Sequence, residues 1–160
     1  MKKTLALIGL FLILGFSLQA GGVKKNDSWV GFQLTAIRHA AYAGVNFEHG
    51  IGSNLALGLE VNVWLGGVTG MVISPHVIYH FPMRSSRIDL FVGAGPAMAF
   101  GFKIGGTDFR LKAHGGARYW ITPRTAVYVK LVSEFGEKVL VSDTSDTGSL
   151  GGAIGVNLRF

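Results

Sequence analysis

The chain has 160 residues, room for one domain, and its formal charge of +6 is spread along its length. No basic run or stripe stands out, which argues against a nucleic-acid binder. Cysteine is absent, which excludes disulfides, lipidation at a lipobox cysteine and thiolate chemistry, and a hydrophobic share of 49% excludes a disordered chain.

The first element is an export signal. Lys2 and Lys3 form a positive head, Leu5 to Leu18 is apolar apart from Ser17, and Ala20 supplies a small residue for cleavage, although Leu18 at the −3 position is less usual than Ala. The apolar run is shorter than the ~20 residues of a transmembrane helix, so a retained anchor is the weaker reading. We therefore expect a signal peptide over 1–20 and a single mature domain over 21–160.

After Asn26-Asp27 the chain alternates apolar and other residues with period two, the mark of strands with two different faces. Eight such segments are predicted, at 28–37, 40–49, 54–65, 70–81, 88–100, 108–120, 125–135 and 148–160. They exceed the usual soluble strand of about 5–6 residues and match the ~9–11 residues of a tilted membrane-spanning strand. Compact breaks at 49–53, 82–87 and 121–124 alternate with breaks at 38–39, 66–70, 101–107 and 136–147. The first set would face the periplasm and the second the exterior, with both chain ends on the periplasmic side.

The two faces differ in kind. In the third segment Leu55, Leu57, Leu59, Val61, Val63 and Leu65 oppose Ala56, Gly58, Glu60, Asn62 and Trp64. The sixth sets Phe109, Leu111, Ala113, Gly115, Ala117 and Tyr119 against Arg110, Lys112, His114, Gly116, Arg118 and Trp120. Charges mixed with Gly and Ala suit a crowded interior, because an eight-stranded barrel is just wide enough to be filled by side chains. The apolar parity then points into lipid, and Val61→Arg is expected to impair assembly far more than Glu60→Arg. Phe47, Tyr79, Phe81, Tyr119 and Phe160 share that parity at one end, and Phe100, Phe109 and Phe135 at the other, as two aromatic girdles would. The fold class expected is all-β, an eight-stranded antiparallel up-and-down transmembrane barrel. A soluble, lipocalin-like barrel is the rival.

The last residues, Ala153 to Phe160, carry a further pattern. A terminal Phe160, Leu158 two before it and Gly155 five before it resemble the C-terminal signal read by the outer-membrane barrel assembly machinery. Ala153 departs from the polar residue usual there. The mature chain as a whole resembles the small outer-membrane barrels typified by the OmpA membrane domain and OmpX. The resemblance implies an outer-membrane location and insertion by that machinery through Gly155, Leu158 and Phe160.

The candidate chemistry lies on the inward parity. Glu48, Glu60, Asp89 and Glu134 share it with Arg110, Lys112, Arg118, Lys130 and Arg159. Strand direction places Glu134 near Arg110 and Lys112, Asp89 beside Arg118, and Glu60 across from Lys130. Such a network is either a neutralising plug or a narrow ion path, and the filled interior favours the plug. His76 and His80 lie about 13 Å apart along one strand, too far for one ion, and His114 approaches His76 with no third ligand evident. Ser74-Pro75-His76 lacks a placed acid, and the His-x-Ser-Asn type signature of lipid A deacylase barrels is missing, which weighs against catalysis. Gly93-Ala94-Gly95-Pro96 and Gly115-Gly116 lie within strands with no helix following, so they are bends or spaces rather than phosphate loops.

The expectation is a monomeric, non-enzymatic barrel with a filled lumen and a structural or surface-interaction role. No cofactor, metal or nucleic acid is expected, and outer-membrane lipids are its partners. A narrow pore and a lipid-modifying enzyme are the alternatives. The stretch 136–147, with Asp143, Thr144, Ser145, Asp146 and Thr147, is the best candidate for contact outside the cell.

Overall fold

Period-two alternation becomes eight antiparallel strands in the computed structural model, which describes residues 23–37, 40–66, 70–81, 83, 87–101, 107–136 and 148–160. They are β1 (Ser28–Ile37), β2 (Ala40–Gly52), β3 (Leu55–Leu65), β4 (Gly70–Phe81), β5 (Ile88–Gly101), β6 (Thr107–Trp120), β7 (Thr125–Phe135) and β8 (Ser149–Arg159). Each strand pairs with its chain neighbours, and β8 returns to pair with β1 from Trp29↔Arg159 to Ile37↔Gly151, closing the barrel. Closure leaves no sheet edge, the condition for a sheet to sit in hydrocarbon. The expected signal peptide, the breaks at 38–39 and 67–69, and most of the 82–87, 101–107 and 136–147 breaks lie outside the described residues.

The expected compact break at 49–53 is tighter than the sequence suggests. β2 runs on to Gly52 through a register shift between Gly50 and Gly52, and the hairpin turns at Asn54, whose φ is 65°. Asn tolerates this left-handed conformation better than most residues. The segment before β1 explains the extension. Asn26 N donates to Gly50 O, Gly50 N donates to Asp27 O, and Asn54 N donates to Val23 O. Residues 23–27 thus tuck beneath the barrel, and Val23 is buried at its floor.

Pro75 and Pro96 sit inside strands, where proline removes a ladder donor. The β4–β5 register, Ile73↔Met98 on one side and Val77↔Ala94 on the other, sets the two prolines opposite each other. The lost donors therefore fall together, and β4 and β5 keep their other ladders, with Leu59↔Pro75 and Pro96↔Leu111.

The facing is inside out relative to a soluble protein. Leu57 is 49% and Val129 58% exposed, whereas Glu60 and Arg118 are each 1% exposed. Phe32, Phe109, Leu131, Leu150 and Ile154 are also exposed, while Gln33, Asn46, Asn62, His80 and Asn157 are buried. So many exposed large hydrophobics around one belt are what soluble monomers rarely carry. It fits a lipid-facing band, and the soluble-barrel rival falls. Of the expected girdles, Phe47, Tyr79, Tyr119 and Phe160 are exposed at one end and Phe109 and Phe135 at the other, while Phe81 and Phe100 are half-buried.

The interior departs from the expected mixture of charges with Gly and Ala. Large apolar side chains also point inward, in two clusters. Ile37, Tyr42, Val72, Ala97, Ala99, Val132 and Ala153 lie toward the end opposite the chain termini. Val23, Trp29, Ala56, Ile78, Phe91 and Tyr128 lie toward the end where the chain begins and finishes. They flank a polar middle.

Arginine at a lipid-facing mid-strand position costs about 2–4 kcal/mol. Val129→Arg should lower stability by that amount in urea titrations of the vesicle-inserted protein, whereas Val129→Leu should leave it unchanged.

Candidate functional site: the ionic core of the lumen

β6 carries the spine of the lumen. Toward the end that holds the chain termini its inward residues run Asp108, Arg110, Lys112, His114, Gly116 and Arg118, one every second position. Three of the cations find partners at three heights, each group being one central ion between two of opposite sign.

In the outermost group Arg110 lies between Asp108 (2.7 Å) and Glu134 (2.8 Å). In the middle one the carboxylate of Glu60 accepts from two ammonium groups. Lys112 Nζ is 2.5 Å from Oε2, and Lys130 Nζ bonds Oε1. In the innermost group Arg118 Nη2 donates to both oxygens of Glu48 at 2.7 Å, and its Nη1 is 3.6 Å from Asp89. His80 Nδ1 lies 2.8 Å from Asp89 Oδ2, and its Nε2 is 3.8 Å from Glu48. The Arg118 guanidinium also packs against Trp29, Phe91 and Trp120 at 5.4–5.9 Å from their ring centres, which compensates its loss of water in part.

Hydrogen bonds tie the middle to the lower lumen. Gln33 Nε2 donates to Glu60 (3.1 Å) and Asn62 (2.8 Å), and Tyr128 OH donates to Gln33 Oε1 (2.8 Å). Asn46 Nδ2 donates to the Tyr128 oxygen (2.6 Å), and Asn157 Nδ2 donates to Asn46 Oδ1 (3.1 Å). Glu60 is the point where this chain meets the two lysines.

Several expected pairings hold: Glu134 with Arg110, Asp89 near Arg118, and Glu60 with Lys130. Others need correction. Lys112 reaches across the lumen to Glu60 rather than ion-pairing with Glu134, its ladder partner. The chief partner of Arg118 is Glu48. Arg159 does not join the lumen network. Its side chain lies at the rim, 38% exposed, and binds Asp27 at 2.6 Å. Asp108 was missed although it shares the parity of Arg110, and Asp27 lies before the first strand, where no parity applies. Glu60→Arg would itself be costly, since it would set a third cation against two buried ammonium groups.

The two inward histidines of the middle layer sit over glycines. A Cβ on Gly58 would come within 2.2 Å of His76 Nε2, and one on Gly93 within 2.6 Å of His114 Nε2. Gly58↔His76 and Gly93↔His114 are direct ladder pairs, so each ring lies over the bare backbone beside it. The rings meet edge to face with centres 4.8 Å apart. Glu60 supplies a third donor beside the two rings, and the ligand atoms of Glu60, His76 and His114 lie within 4.8 Å of one another. Yet both oxygens of Glu60 already accept from ammonium groups, so a divalent cation there would face two like charges at close range. The donor set fits an ion-paired core better than a metal centre.

Ser74 and His76 do not form a nucleophile–base pair. His76 Nδ1 contacts the backbone oxygen of Ser74 at 2.9 Å, and the buried Ser74 hydroxyl has no hydrogen-bond partner among the described residues. Ser28 Oγ does lie 2.9 Å from His49 Nδ1, but no described acid orients that ring.

The C-terminal pattern has its own structural reasons. Gly155 leaves space for the Tyr128 phenol, whose oxygen would be 2.5 Å from an added Cβ. Leu158 and Phe160 face outward, and Phe160 N donates to Ser28 O at 3.1 Å, tying the last residue to the first strand.

The fold is that of the small transmembrane β-barrels. The N-terminal β-barrel domain of Pseudomonas aeruginosa OprF is similar over 86% of this chain and 100% of its own, with a TM-score of 0.72 at 18% identity. Neisserial surface protein A is similar over 84% of this chain and 95% of its own, with a TM-score of 0.60 at 15% identity. A de novo designed transmembrane β-barrel is similar over 88% of this chain and 100% of its own, with a TM-score of 0.62 at 13% identity. No protein-family model matches the chain, and no curated protein matches its sequence. At such identities the likeness concerns the fold alone, and a fold that a designed chain also adopts carries no activity with it.

Removing one member of a buried ion group leaves an uncompensated charge and costs about 3–5 kcal/mol, whereas replacing the whole group by apolar residues is often neutral. Glu60→Gln should therefore lower stability by about that amount. The triple variant Glu60→Leu/Lys112→Met/Lys130→Met should stay within about 1 kcal/mol of wild type in the same urea titration.

Proposed function

We propose that the protein is an outer-membrane barrel with a sealed lumen, acting as a structural or surface-contact element of the envelope. The observation that carries this reading is the filling of the tube. Three ion groups occupy successive heights, and apolar clusters flank the middle one at both ends. An ion crossing it would have to part at least one buried ion group and pass two apolar constrictions, and a dewetted apolar constriction is itself a gate. Among the described residues the Ser74 hydroxyl has no partner and no acid orients the His49 ring beside Ser28, which supports a non-catalytic role. Contact outside the cell would fall to the exterior loops, the longest of which lies largely beyond the described residues.

Planar bilayer recording tests the seal. The purified protein should give no discrete conductance steps, and regular single-channel steps would replace this reading with that of a narrow pore. Insertion is proposed to run through the assembly machinery, with Gly155, Leu158 and Phe160 as the signal. Deleting Phe160 should leave precursor or misassembled protein in membrane fractions, and normal insertion without it would remove that role.

A further inference from the structure

Every strand pairing but one joins strands consecutive in the chain, whereas β1 and β8 come together from its two ends. Closing that seam gathers nearly the whole chain into a loop, and loop-closure entropy works against it. Such a ladder opens first at its strand ends. At the end that holds the chain termini, the seam carries an added part, the short strap of residues 23–27.

The strap is folded on itself. Asp27 N donates to Lys24 O at 3.1 Å, and Lys24 N donates to Asp27 Oδ2 at 2.9 Å, which closes a reverse turn. Asn26, third in that turn, has a φ of 71°, a conformation that asparagine tolerates. One end of the strap is anchored in the lumen. Gly50 is buried, and a Cβ placed there would lie 2.8 Å from Val23 Cγ1, so the valine takes the space that a side chain on β2 would otherwise fill. There Val23 joins the cluster of Trp29, Ile78 and Phe91. Backbone bonds to Gly50 and Asn54 fix this end to the β2–β3 hairpin. The other end grips β8. Asp27 Oδ1 accepts from Arg159 Nη2 at 2.6 Å, and one register step on, Phe160 N donates to Ser28 O at 3.1 Å.

We propose that residues 23–27 are a clasp on the barrel seam, which links β8 to the β2–β3 hairpin past β1 and holds the β1–β8 ladder shut at the end of the chain termini. β1 then lies between two partners that are also tied to each other, so it does not part from β8 alone. The two oxygens of Asp27 have separate tasks, one closing the turn and the other holding Arg159. This accounts for Arg159 standing at the rim, outside the lumen network. A carboxylate already fixed on a turn has less freedom to lose, which is the usual cost of an ion pair near the surface. The clasp needs both chain ends in place, so it forms after the seam closes. Interactions made that late slow opening and leave the rate of folding little changed.

The test is hydrogen exchange of the folded, vesicle-inserted protein, read peptide by peptide with mass spectrometry. Asp27→Asn should speed exchange of the seam amides, over 29–32 and 156–160, by about threefold, in line with one partly exposed ion pair. Gly50→Ala, which expels Val23, should speed the same amides by about tenfold, while β4 and β5 keep the wild-type rate. Should Gly50→Ala give no folded barrel on a heat-shift gel, Val23→Ser takes its place, since it leaves β2 intact. Unchanged exchange at the seam overturns the proposal. Acceleration confined to 50–54 also overturns it, by making the strap a brace for one turn. Acceleration spread evenly over all eight strands does the same, by making it a general stabiliser. Conductance does not enter this readout, so the clasp and the sealed lumen fail independently.

Discussion

Hydrocarbon offers no hydrogen bond, and that constraint organises the whole molecule. Every strand N–H and C=O at membrane depth must be met within the protein, and the pairing of β8 with β1 removes the edges that would otherwise leave a row of them unmet. With only eight strands, closure produces a tube about as wide as its own side chains. Lipid outside and a narrow tube inside then divide the residues. Leucine, valine and phenylalanine cost nothing in lipid, and the ionised groups have only the interior left to them.

Inside, solvation by water must be replaced by solvation by partners. The grouping in threes answers this at each height: Arg110, Glu60 and Arg118 are each shared between two ions of opposite sign, so no central charge depends on a single contact. The outer and inner groups hold two carboxylates to one guanidinium, and the middle group holds two ammonium ions to one carboxylate, so the excess alternates along the tube. Buried ion groups of this kind add little net stability over well-packed apolar residues. What they do supply is a definite arrangement, since each requires particular strands to meet at one height.

The same geometry separates what faces lipid from what fills the lumen. Among the described residues the lumen takes Glu48, Glu60, Asp89, Asp108 and Glu134, every acid but Asp27, which binds Arg159 at the rim.

Much of this was legible in the sequence because alternation of period two is local. The eight strands, the lipid-facing parity of Leu57 and Val129, the inward parity of Glu60 and Arg118 and the girdles follow from neighbours two residues apart, and the neighbour-strand pair of Glu134 with Arg110 follows from hairpin order. Only the tertiary structure decided which charge meets which across the lumen. Lys112 and Glu60 are 52 residues apart, and Arg118 and Glu48 are 70 apart. Their heights depend on the stagger adopted when the barrel closes, a property of all eight strands at once. Closure likewise placed Arg159 at the rim with Asp27 and brought Glu60 to the two histidines. No window along the chain contains these meetings.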